Sequence, residues 1–464
     1  MNKLSLGLLC LFFSHANAQF QSANWFFGSQ AGITFNTNPP TPLTGGQINQ
    51  QEGCCSISDS AGNLLFYSDG ITVWDRNHTV MPNGTGLFGG ASSTQSSIVV
   101  HDPGGDPSKY YLFTAPQELT TQPLAYSIID MTLNNGNGDV SAIKNVPILN
   151  TSTEKVTAVF HKNGTDIWII GHEFGNNNFD AFLLTASGLN TTPVVSSVGS
   201  VHGGDANNNI GYLKASPCGN KIAAAVWWDD FLELFDFNDS TGVVSNPVHL
   251  GNWFASSGVY GLEFSPDNSK LYASIITPGI VVQYDLLAGS SADIIASADT
   301  IGTSAVNFNG ALQTGPDAKI YLVKFGSNTL DCILKPNESG IACGYVIDYV
   351  SLGTGLGQLG LPDFFSSFFC NIVGVPEIET DEAITLFPNP VGDVLHIRLN
   401  NNSAGDETTF RIFNAIGQCV FTQSKNSSEP KAEIQISTQD WANGIYFLNI
   451  RTGKKTTEKT FIRM

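Results

Sequence analysis

GLEFSPDNSKLYASIITPGIVVQYDLL, residues 261–287, decides the fold. It divides into three apolar runs, GLEF, LYASII and IVVQYDL, separated by Ser-Pro-Asp-Asn and Thr-Pro-Gly. β-branched and aromatic runs bounded by turn-forming residues read as consecutive antiparallel strands. The unit recurs along the chain. Second strands of the same kind start at Trp25, Leu64, Tyr110, Ile167, Ile222, Leu271 and Ile320, each after a polar residue, and the spacings after the first are 46, 57, 55, 49 and 49 residues. Such a period suits four-stranded propeller blades. NWFFGSQAGITFN near the start has second and third strands only, and LGLPDFFSSFF, residues 359–369, has a first strand only. Together they would form one shared blade that closes the ring and leaves no free sheet edge. Two stacked β-sandwiches would also use short strands and Gly/Pro turns, but would not produce this recurrence. The reading is all-β: a seven-bladed β-propeller over residues 19–372, followed by a small immunoglobulin-like β-sandwich.

The flanking segments set the compartment. Residues 1–18 combine Lys3, the apolar run LSLGLLCLFF and Ala16-Asn17-Ala18, the pattern of a signal peptide cleaved at about Ala18. The run is too short to span a bilayer, and no other long apolar stretch exists, so no transmembrane segment is expected. The protein is read as secreted, extracellular or held at the outer-membrane surface. Net charge is −19, unevenly spread: residues 383–464 hold nine Lys/Arg against seven Asp/Glu, leaving 12 against 33 before them. A body this acidic excludes nucleic acid as partner, because phosphate binding needs Lys/Arg patches. Export permits disulfides, and an odd seven cysteines remain after Cys10. Cys332 and Cys343 flank LKPNESGIA and would face each other across a hairpin, which makes them the expected disulfide.

Residues 373–382, an acidic stretch with one proline, read as a linker. The 383–464 segment that follows alternates apolar and polar residues between Asn, Gly and Lys turns, about seven short strands. It resembles the type A C-terminal sorting domain of the bacterial type IX secretion system. Phe387-Pro388-Asn389-Pro390 carries the opening motif, Gly417 the middle turn, Gly444 and Tyr446 the late strand, and Lys454-Lys455 the basic end. The resemblance implies that the type IX machinery recognises residues 383–464 and removes them after export. An ordinary adhesive sandwich kept in the mature protein is the alternative. The body similarly resembles propeller domains of proteins exported by this route, through NWFFGSQAGITF, GNLLFYSDGITVWDRNHTVMPNGTG (residues 62–86) and SSTQSSIVV (residues 92–100). That likeness implies a fold and a setting, not a reaction.

In a propeller, the loops joining second to third strands share one face with the loops between blades. That face would collect His172, Glu173, His202, Asp205, Trp228, Asp229 and Asp230, with Asp69, Trp227 and Trp253 nearby. Indoles beside carboxylates suit a sugar, and a ring of carboxylates suits a divalent cation, the one cofactor the pattern suggests. His172 and Glu173 also end an apolar strand and could simply bond loop amides. No GxSxG elbow, zinc spacing or EF-hand spacing appears, so no catalytic residue is assigned. The expected function is a secreted or cell-surface binding module for an extracellular glycan or protein. The alternative is a hydrolase or lactonase-like enzyme with a metal in the propeller funnel, which requires His172, Glu173, His202 and Asp205 to converge.

Overall fold

Strands begin within one residue of all seven expected positions, at Asn24, Leu64, Lys109, Ile167, Lys221, Lys270 and Ile320. The computed structural model describes residues 19–370, apart from 119, 253–257 and 305–307, and residues 384–463, apart from 388–390, 400–406, 415–417, 427–431 and 453–454. The signal peptide, the linker and Trp253 therefore lie outside the described residues. The chain separates into two compact units, residues 1–372 and 373–464.

In the first unit the described strands form seven antiparallel sheets of three to five strands, numbered here along the chain. The opening stretch lies in the sixth. Val259–Phe264, Lys270–Ile275, Ile280–Asp285 and Asp299–Thr303 pair in that order. Its first turn shows why the residues are what they are. Ser265 accepts from the Lys270 amide (2.8 Å) through its hydroxyl, and Asn268 takes φ 62°, a left-handed conformation that Asn tolerates and branched residues resist. Every residue of Val259–Phe264 and Lys270–Ile275 is buried, since each sheet is covered on both faces by its neighbours. Complete burial of a Leu or Phe side chain contributes about 1.5–3 kcal/mol, so the repeated double-faced strands supply most of the driving force.

Antiparallel pairing places the start of each first strand and the loop joining second to third strands at one end of a sheet, the upper end. Adjacent sheets meet like end to like end. Lys155 Nζ reaches Asn209 O at 2.5 Å above, and Trp168 Nε1 reaches Asp239 O at 2.7 Å below.

Residues 359–369 do not complete the first sheet, contrary to the expectation. No strand forms there; Pro362 and Asp363 make isolated parallel bridges to Cys54 and Ile98, and Ser366–Phe369 is a 3-10 turn. The segment instead runs from the upper to the lower end among the first strands. Leu359 N donates to Gln51 O (2.8 Å), Ala311 N to Leu359 O (2.7 Å), Asp363 N to Cys54 O (2.8 Å) and Phe160 N to Ser367 Oγ (2.9 Å). Phe364 packs against Trp25, and Phe365 against Phe160. Consecutive phenylalanine pairs at 364–365 and 368–369 cannot alternate between a wet and a dry face, so they suit a segment with apolar neighbours on all sides.

The disulfide joins Cys218, in a lower-end turn of the fifth sheet, to Cys370 at the end of this segment. The expected Cys332–Cys343 bridge is not formed, and both thiols are buried and free. A 3-10 turn at Gly340–Cys343 interrupts the hairpin, and Cys332 pairs with Val346. Cys332 packs into the main core, whereas its neighbour Ile333 shares a separate cluster with Cys343 on the opposite face of the sheet.

The second unit has two antiparallel sheets. Ile384–Phe387, Val394–Leu399 and Ala432–Ser437 form one, and Cys419–Asn426, Glu407–Asn414, Gly444–Thr452 and Lys455–Arg463 form the other. Leu395, Ile397, Ile434 and Ile436 from the first share a core with Phe410, Ile412, Leu448 and Phe461 from the second.

Candidate functional site

The seven expected site residues separate into three that share a surface and four that do not. In the fifth sheet, Lys221–Val226 ends in the turn Trp227–Asp230 at the upper end. Trp227 is half-buried against Gly258, where an added Cβ would come within 2.1 Å of its indole, which explains a glycine there at φ +74°. Trp228 is 52% exposed, its ring centre 5.8 Å from that of Trp227. Asp229 exchanges two hydrogen bonds with Asn208: its Oδ2 accepts from Asn208 Nδ2 (2.9 Å), and its amide donates to Asn208 Oδ1 (3.1 Å). Asp205 caps the 3-10 turn Ala206–Asn209 and accepts from the Asn207 amide at 2.9 Å. Asn208 thus ties the two loops, bringing Asp205, Trp228 and Asp229 to one exposed surface.

Sequence reasoning missed the residue beneath these loops. Lys155 is fully buried, and its ammonium donates to the carbonyls of Asn209 (2.5 Å), Ile210 (3.2 Å) and Asn208 (3.5 Å). Burial lowers its pKa to about 7, with Glu154 opposing the shift. A lysine inside the strand STEKVTAVF was the available signal, because a charged residue amid a buried run needs partners.

Asp230 is buried at φ 53°, and its Oδ1 accepts from the Val259 amide (3.2 Å), so it belongs to the packing and not to the surface. His172 and His202 are fully buried, their rings stacked 3.7 Å apart, with Phe179 set edge-on to His172 at 4.6 Å. His172 Nδ1 lies 2.7 Å from Glu173 O, to which it donates. Burial, then the charge of Lys155, holds His172 down at about 3; burial, then His172 and Lys155, holds His202 well below the usual range. Both are neutral core groups. Glu173 is half-buried and accepts from Asn176. His172, Glu173, His202 and Asp205 therefore do not converge, and among the described residues no group of three His, Cys, Asp or Glu is placed to hold a metal ion.

The space between the first strands is filled by the chain itself. Asp363 is buried there with Lys214 Nζ at 3.1 Å, and the same ammonium lies 2.8 Å from Gln313 Oε1 and 3.7 Å from Glu263. Burial raises both carboxyls, with Lys214 opposing. Burial also opposes the Lys214 charge, but attraction to Asp363 and Glu263 outweighs it and raises the amine. Above this lie Glu52 and Glu154. Glu154 Oε2 accepts from the Thr94 amide (2.9 Å) and hydroxyl (2.7 Å), and its Oε1 from the Glu118 amide (2.8 Å). Burial pushes Glu52 up to about 8 despite the Tyr260 hydroxyl, and burial followed by the Glu52 charge pushes Glu154 well above the carboxylate range.

In the second unit, Tyr446 stacks on Phe461 (5.6 Å) and lies tilted against Trp441 (5.1 Å) while its hydroxyl donates to Ala442 O at 2.7 Å. Phe387 stacks on His396 at 5.0 Å, and the guanidinium of Arg398 lies over its ring. Lys455 opens the last strand opposite Thr452, and Gly444 opens the strand beside it. Pro388, Asn389, Pro390, Gly417 and Lys454 lie outside the described residues. Residues 385–463 match the family described as the secretion system C-terminal sorting domain. The chain ends in a type IX sorting domain. Within the sorting domain, Tyr446 and Phe461 therefore serve the core, and Phe387 packs across its first sheet.

Comparison with solved structures finds a Bacteroides uniformis protein described as a putative 6-phosphogluconolactonase, at 14% identity and TM-score 0.39, covering 83% of this chain and 98% of that one. A Pseudomonas aeruginosa periplasmic gluconolactonase matches at 13% identity and TM-score 0.35, covering 79% and 94%. The β-propeller domain of Cps50 (Swd1) from Myceliophteria thermophila matches at 12% identity and TM-score 0.34, covering 79% and 96%. No curated protein sequence matches the chain.

Proposed function

We propose that this protein is an extracellular glycan-binding module, delivered by its sorting domain and carried on a seven-bladed β-propeller. Seven sheets stacked like end to like end around one segment support the blade count. Two sheets over a joint core support an immunoglobulin-like sandwich for residues 383–464. On this reading residues 1–18 are removed on export from the cytoplasm, 373–382 link the units, and residues 383–464 are removed at the surface.

The observation that carries the binding function is the exposed indole of Trp228 beside the fixed carboxylates of Asp229 and Asp205. A flat aromatic surface takes the C–H face of a pyranose, and neighbouring acceptors bond its hydroxyls. Binding at this rim is favoured over metal-assisted hydrolysis in a funnel because residues 359–370 occupy the funnel's place, and His172 and His202 stack in the core while Glu173 and Asp205 do not join them in a metal-binding group. The test is a glycan array probed with the chain from Gln19 onward, alongside Trp228→Ala. Glycan binding that the variant loses supports the proposal; binding unaffected by the variant places the site elsewhere.

A further inference from the structure

The upper end of the sheets differs from the lower end in charge as well as in aromatic exposure. Of the Lys and Arg residues between 19 and 370, Lys155, Lys214, Lys270 and Lys324 are buried. Lys144, on the outer flank, donates to Asn83 O (2.9 Å) and Thr85 O (2.7 Å). The remainder sit in lower-end turns or at the lower ends of strands: Lys109, Lys221 and Lys319 begin or precede second strands, Lys162 lies in the turn before one, and Arg76 and Lys335 follow third strands. The upper end therefore presents no exposed cation among the described residues. It does present Asp205 and Asp229, and three of the exposed aromatic side chains of the first unit: Trp228 at 52%, Phe308 at 45% and Phe325 at 44%. Phe308 and Phe325 pair at 5.8 Å on the seventh sheet.

Aromatic faces beside carboxylates, with no exposed cation among them, attract a positively charged ligand twice over, through the ring quadrupole and through Coulomb attraction. Asp205 and Asp229 hold their positions with one oxygen each, Oδ1 and Oδ2 respectively, so the other oxygen of each takes no hydrogen bond among the described residues. Resting on the glycan-binding reading above, we propose that the ligand is a polymer of amino sugars with free ammonium groups: a pyranose face stacks on Trp228 while its ammonium group meets Asp205 and Asp229. Polyanionic glycans are disfavoured by the same field.

The test uses the chain from Gln19 onward, titrated at mildly acid pH with an oligomer of glucosamine, its fully N-acetylated counterpart, polygalacturonate and polylysine. The glucosamine oligomer should bind about tenfold or more tighter than the acetylated one, and should weaken as salt screens the charges. Trp228→Ala should cost about tenfold, and Asp205→Asn and Asp229→Asn about three- to tenfold each. All three are surface changes, and an unchanged melting curve separates lost binding from lost folding. Equal, salt-independent binding of the acetylated oligomer overturns the charge inference and leaves glycan binding standing. Preference for polylysine, unaffected by Trp228→Ala, overturns it in favour of a basic peptide. No binding of any glycan overturns both.

Discussion

Removing the Cys218–Cys370 disulfide tests how residues 359–370 are held. The bond closes a separation of 152 residues. In the chain-entropy treatment a closed loop of that size restricts the unfolded state by about 5 kcal/mol, near the top of the ~2–5 kcal/mol seen for native bridges. Unfolding entropy of about 2.1 cal/mol/K per residue over about 350 residues gives about 0.7 kcal/mol/K, so the loss corresponds to about 7 °C. Cys218→Ser with Cys370→Ser should lower the melting temperature of the first unit by about 3–7 °C, measured calorimetrically without reductant against the parent chain. Chymotrypsin should then cut at Phe364, Phe365, Phe368 or Phe369, which are buried when the segment is in place. An unchanged melting temperature together with an unchanged digest would refute the reasoning.

Four further outcomes follow from the same contacts. Asp363→Ala leaves Lys214 buried with Gln313 and Glu263 as its one carboxylate, and should destabilise the unit by about 3–5 kcal/mol in denaturant titration; a change under about 1 kcal/mol would mean the ammonium finds water. Glu52, raised from 4.5 to about 8, binds its proton more tightly folded than unfolded, so its contribution is complete below pH 4.5 and is lost as pH rises through 8. Glu52→Gln should therefore gain on the parent chain across that window, by at most about 5 kcal/mol, and a pH-independent difference between the two would contradict the assignment. Lys155→Met should loosen residues 205–210, seen as faster amide exchange at Asn207 and Asn208, with retained protection counting against a positioning role. Deleting residues 454–464, which removes the strand Lys455–Arg463, should leave the protein inside the cell envelope by fractionation; its appearance in the medium would show that export does not need that strand.

The repeat was legible because every second strand follows a turn whose chemistry is local: Ser265 and Asn268 close their own turn, and the residues that do so are adjacent in sequence. The sorting domain was legible for a similar reason, since its motifs lie in order along 80 or so residues. Of the site, Trp228, Asp229 and Asp205 could be placed on one face by strand parity and loop position. What the sequence could not decide was direction and depth. His172 and His202 share that end of their sheet with the surface residues, yet their side chains turn inward and stack in the core. Asp230 differs from Asp229 only by one position, but the left-handed turn carries it under the Val259 amide. The pairing of Cys218 with Cys370 and the course of residues 359–370 depend on contacts with strands more than 100 residues away, such as Lys214 with Asp363. Periodicity and turn chemistry are properties of neighbours along the chain and so are written in the sequence. Which side chains meet between the sheets depends on how segments distant in sequence pack together, and only the tertiary structure decides it.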